Sequence, residues 1–171
     1  ILVFLPVALA GFFLLPAWWR DTRKVWLCLA SLFFYGYWKV EYVPLLLFSM
    51  GFNYITAGLI HRWRGRPGAR NAMMVGVVVN LLLLGYYKYT NFIVNSLGWA
   101  SEQPFPKFDI ILPLAISFFT FTQIGYIVDV WRDSKLHYRF LDYALFVLFF
   151  PHLIAGPIVR HWEVIPQFAR R

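Results

Sequence analysis

Long apolar blocks separated by short, arginine- and lysine-rich connections constrain this chain more than any other feature. The blocks are residues 1–19, 25–38, 43–60, 72–87, 110–131 and 140–159, and each approaches or reaches the roughly 20 residues a helix needs to cross a bilayer. Hydrocarbon supplies no partner for a backbone N–H or C=O, so segments of this kind must satisfy themselves as helices. The expected fold is therefore all-α, a polytopic transmembrane helical bundle of about five to six spans, with residues 1–171 forming one integral-membrane domain. Composition agrees: 60% of residues are hydrophobic and 14% charged, where a soluble domain carries about a quarter charged residues. The first block lacks a basic leader and a small-residue cleavage site, which makes it a retained span rather than a secretory signal. Because the chain opens on Ile1 inside an apolar run and stops at Arg171 without a terminal element, it is expected to be part of a longer protein.

The connections carry the charge. Arg20, Arg23 and Lys24 follow the first block, Arg62, Arg64, Arg66 and Arg70 the third, and Arg132, Lys135 and Arg139 the fifth. The other two connections hold Lys39, and Lys88 with Lys107. Dealt out in this way, a net charge of +8 reads as membrane topology, not as a nucleic-acid footprint. Cytoplasmic loops carry the excess of Lys and Arg, so the start of span one is expected outside. Pro44 and Pro113 suit the first turns of spans three and five, and His61 to Arg70, with Gly and Pro among its arginines, reads as a loop. Residues 89–99 either continue span four or lie in the interface. A simple sixth crossing would leave Arg160, Arg170 and Arg171 outside, whereas a segment turning back at Pro151 or at Gly156–Pro157 would return them to the cytoplasm. Residues 140–159 are thus a broken or re-entrant helix.

Few residues at membrane depth carry chemistry. Thr122, Tyr126 and Asp129 stand at i, i+4 and i+7 and share a helix face. Asp129 either pairs with Arg132 one turn on or lines a polar tunnel. His152, between Pro151 and apolar residues, must be buried with a partner or face an aqueous pocket. Gly156 and Pro157 end the helix, and Arg160 meets a phosphate or carboxylate or snorkels to headgroups. His137 and His161 fall in or near loops, and no second histidine stands at metal-ligand spacing, so no metal site is expected. Cys28, alone in an apolar helix, reads as a small buried hydrophobe.

Four stretches, in order, carry a family likeness. They are Phe33 to Trp38 (FFYGYW), Leu84 to Phe92 (LGYYKYTNF), Leu112 to Phe121 running on to Tyr126–Arg132 (YIVDVWR), and Phe149 to Arg160 (FFPHLIAGPIVR) continuing to Pro166–Phe168. Together they resemble the N-terminal portion of the membrane-bound O-acyltransferase (MBOAT) family, in its bacterial alginate O-acetyltransferase and D-alanyl transfer branch. Ala115 stands where the family commonly has glycine and Trp131 where it commonly has tyrosine. The family's catalytic histidine is expected beyond Arg171, which leaves no catalytic residue in this stretch. The resemblance implies transfer of an acyl group, in the first instance acetyl, from a thioester donor (acetyl-CoA or an acyl carrier) to a hydroxyl of a cell-surface or exported polysaccharide. It implies no bound cofactor, a multi-pass protein of the bacterial inner membrane, and periplasmic, extracellular or carrier-protein partners. Pro151, His152, Gly156, Pro157 and Arg160, with Gln123, Tyr126 and Asp129, are then expected to line a tunnel or bind substrate. A broken helix with intramembrane polar groups also suits a secondary transporter, and a non-catalytic scaffold subunit is a third reading.

Overall fold

A computed structural model of the chain describes residues 3–15, 20–101, 111–133, 138–151 and 161–169. The described residues are helical and contain no strand: α1 (Phe4–Leu14), α2 (Arg20–Trp38), a 3₁₀ turn (Val40–Tyr42), α3 (Val43–Arg62), α4 (Pro67–Ser101), α5 (Ile116–Arg132), α6 (Phe140–Leu148) and α7 (His161–Ala169). Among the described residues, two stretches are long and apolar enough to cross a membrane, Val40–Arg62 and Pro67–Val94.

The burial pattern of α3 explains its place. Its buried positions are Leu46, Ser49, Met50, Asn53, Thr56, Ala57 and Ile60, a helical stripe that contains the polar residues, while Phe48 and Ile55 are each 65% exposed on the far side. Helix α4 repeats the arrangement, with Ala69, Gly76, Asn80 and Leu84 inward and Val75, Val78 and Leu82 outward. Polar side chains inside and apolar ones outside is the reverse of a water-soluble helix, and it suits lipid. Gly76 lets α4 approach: a Cβ there would lie 2.8 Å from Ile127 Cδ1 of α5 and 2.9 Å from Thr56 Cγ2 of α3. The main core draws on α2 to α7 through Tyr35, Leu46, Ile60, Phe119, Tyr126, Tyr143 and Ile165. Ala8, Ala30 and Phe150, with Phe4 and Phe34, form a second cluster where α1 meets α2.

Several expected boundaries move. Helix α1 has 11 residues, about 16 Å at 1.5 Å per residue, well short of the first span as read from residues 1–19. Helix α2 starts at Arg20, and Arg23 and Lys24 are held by partners instead of being hydrated in a loop. Arg23 donates from Nε and Nη2 to the Leu15 carbonyl at 3.0 and 2.8 Å, and Lys24 pairs with Asp142 of α6. The expected loop His61–Arg70 shrinks to a turn at Trp63–Arg66 closed by Gly65 at φ +77, since Pro67 serves as a first helical residue with no N–H to satisfy. Residues 89–99 continue α4. Helix α5 starts at Ile116, after Ala115 in the left-handed region at φ 55, so Pro113 precedes it and does not lie in its first turns.

The sixth block does break, and it breaks earlier than the prolines. Helix α6 ends at Leu148, and Phe149 leaves helical geometry at φ −52, ψ 103. Pro151 has no N–H for the Val147 carbonyl four residues back, and its ring crowds that carbonyl, so α6 cannot run through it and the chain departs at Phe149. The Phe150 N–H, freed from a partner in α6, donates to Ser31 Oγ of α2 at 3.3 Å.

Candidate functional site

A buried polar core runs between α3, α4, α5 and α6. Asn53 of α3 and Asn80 of α4 face each other as paired amides, Asn80 Nδ2 donating to Asn53 Oδ1 at 2.7 Å and Asn53 Nδ2 to Asn80 Oδ1 at 3.1 Å. Gln123 of α5 sits beside them. Its Oε1 accepts from Asn53 Nδ2 at 2.7 Å, from Tyr143 Oη of α6 at 3.2 Å and from Ser49 Oγ at 3.3 Å. Three donors on one oxygen fix which end of the amide is which, and the buried Gln123 Nε2 has no partner among the described residues. Such a network holds its helices in one register because each unsatisfied group at this depth costs more than its bond returns.

One turn along α5 the character changes from amide to acid and base. Tyr126, fully buried, receives the Tyr138 N–H on its hydroxyl at 3.4 Å and packs its ring 4.7 Å from Tyr143 and 5.3 Å from His161. Asp129 Oδ2 lies 3.2 Å from His161 Nε2. The imidazole, at the start of α7, is 2% exposed, whereas the Asp129 side chain is 19% exposed. Rings of Tyr126, Tyr138, Phe146 and Trp162 surround His161, and its Nδ1 has no partner among the described residues. Burial pushes the imidazole below its ordinary value of 6.5, with the Asp129 carboxylate pulling the other way. Desolvation penalises the cation more than one half-open carboxylate rewards it, so His161 is neutral near pH 7. Among the described residues no three His, Cys, Asp or Glu converge as a metal-binding group.

Of the site residues expected from sequence, Gln123, Tyr126 and Asp129 come together on the inward face of α5, but Asp129 meets His161 and not Arg132. Thr122 is buried on that side too, yet its hydroxyl turns back to the Phe118 carbonyl at 2.8 Å, the usual solution for threonine in an apolar helix. Pro151 is helical and follows Phe150, where helical geometry resumes after the break. His152, Gly156, Pro157 and Arg160 lie outside the described residues. Sequence reading passed over His161, Ser49, Asn53 and Asn80. The signal for His161 was its spacing with Val164 and Ile165, at i, i+3 and i+4, which are buried with it. For the amides it was Ser49, Asn53 and Thr56 recurring at i, i+4 and i+7 inside an apolar block.

No family model matches the chain, and no solved structure matches it. Curated relatives do. The chain is 41% identical to a peptidoglycan O-acetyltransferase of Helicobacter pylori over 98% of its own length and 37% of that protein's. It is 40% identical to a probable alginate O-acetylase of Pseudomonas aeruginosa, over 99% of this chain and 33% of that one, and 38% identical to its namesake in Azotobacter vinelandii, over 99% and 34%. The chain thus spans about a third of the length of these relatives, and along nearly all of its own it belongs to the membrane-bound O-acyltransferase family.

Proposed function

We propose that this chain is part of an O-acetyltransferase that moves an acetyl group from a thioester donor to a hydroxyl of a cell-surface or exported polysaccharide. The observation that carries this reading is 41% identity across 98% of the chain to a protein named for that chemistry. The fold is compatible with it: helices with apolar exteriors enclose a buried polar cluster. Nothing comparable favours a transporter or a scaffold. A hydroxyl is a weak nucleophile near neutral pH, and an amphiphilic thioester and a polymer approach from different phases. A helix bundle with a polar interior serves both needs by excluding bulk water while offering fixed hydrogen-bond groups.

In this reading the chain forms one membrane domain of five to six spans in the bacterial cytoplasmic membrane, with its basic connections on the cytoplasmic side. Gln123, Tyr126 and Asp129 line the substrate passage with Pro151, His152, Gly156, Pro157 and Arg160, and acetyl-CoA or an acyl carrier supplies the thioester. The acceptor polymer and any periplasmic partner meet the enzyme at the outer face. The test is transfer of labelled acetyl from acetyl-CoA to alginate oligomers or peptidoglycan fragments by membranes containing the full-length protein. Alkali-labile label on the polymer is expected, and none above control membranes contradicts the reading.

A further inference from the structure

The Asp129–His161 pair has one closed end and one open end, and the asymmetry points beyond packing. His161 is enclosed by four aromatic rings, and among the described residues its one polar partner is Asp129. An ionised carboxylate only accepts, so Nε2 carries the hydrogen and donates to Oδ2. The second oxygen, Oδ1, has no partner among the described residues and belongs to a side chain that is still 19% exposed. Asp129 also sits in the last turn of α5, four residues before the helix gives way at Asp133. The carbonyl end of a helix disfavours an anion there, and an apolar side chain would pin α7 to α5 without that penalty. The arrangement instead holds a carboxylate oriented and partly open.

Resting on the acyl-transfer reading, we infer that Asp129 contacts substrate and that His161 is its positioning residue. The buried imidazole N–H fixes Oδ2, and Oδ1 is left to accept a hydrogen bond from a substrate N–H or O–H. Two groups have that chemistry, an amide N–H on the arm of the thioester donor and a hydroxyl of the acceptor.

The experiment uses membranes containing the full-length protein, with acetyl-CoA as donor probe and alginate oligomers or peptidoglycan fragments as acceptor probe. His161→Phe keeps the ring among its aromatic neighbours and loses the N–H, His161→Gln keeps an N–H, and Asp129→Asn removes the charge. Orphaning a charged hydrogen-bond partner is expected to raise one KM about tenfold in His161→Phe and Asp129→Asn, with His161→Gln recovering part of it. A rise confined to acetyl-CoA assigns Oδ1 to the donor amide; one confined to the polymer assigns it to the acceptor hydroxyl. Unchanged KM values in variants that accumulate and melt like wild type overturn the inference. So does a loss shared by all three variants that tracks the amount of folded protein with both KM values intact, since that is a structural pin. Wild-type membranes that transfer no acetyl contradict the acyl-transfer reading itself, and the role of the pair with it.

Discussion

Two residues show how differently burial acts on amide and imidazole. Gln123 is the junction of the polar core, because its Oε1 accepts from three side chains on two other helices. Gln123→Leu removes that acceptor while Asn53, Ser49 and Tyr143 stay buried, so the expected loss is about 1–3 kcal/mol of stability, read as a lower melting temperature in detergent. A melt within a degree of wild type contradicts the network's role. His161 gives a pH signature whose sign follows from its lowered affinity for protons. Between the folded-state value and the unfolded value near 6.5 the unfolded chain binds more protons. The contribution is therefore complete above about pH 6.5 and is lost as pH falls toward the folded value. Wild-type protein is expected to melt at lower temperature at pH 5.5 than at pH 7.5, and His161→Phe to show a smaller difference. An equal difference in both sinks the assignment.

At the scale of elements, the helix break is the clearest meeting of sequence and fold. Pro151 announces an interruption, because it has no N–H to give and its ring crowds the carbonyl four residues back, and the chain departs at Phe149. The sequence could not name the partner of the freed backbone group, because Ser31 lies 119 positions away from Phe150. Ser31 is fully buried, so Ser31→Ala is expected to cost about 1 kcal/mol by orphaning the Phe150 N–H, measured as an earlier thermal transition; no change contradicts the account. The same distance argument covers the rest of the site. Gln123, Tyr126 and Asp129 were legible because one helix face is written in the local spacing. Their contacts with Asn53, Asn80 and His161 were not, because helix-to-helix register has no local signature. The boundaries of α2 and α4 were misread for a related reason: charge and proline looked like loop, yet Arg23 and Lys24 have partners and Pro67 opens a helix.

At the scale of the molecule, the inversion of polarity organises everything else. Phe48, Ile55, Val75 and Leu82 face outward, and Asn53, Asn80 and Gln123 face inward with almost no exposure. A chain so arranged is built for lipid outside and directional hydrogen bonding inside, and its relatives are named for acetylating polymers. The most direct measurement is the ester-linked acetate on the exported or cell-wall polysaccharide of the source cells, released by mild alkali and quantified by mass spectrometry. Cells lacking the full-length protein are compared with cells in which it is restored. Loss of that acetate on deletion and its return on restoration is the predicted result. Unchanged acetate in the deletion strain would contradict the account.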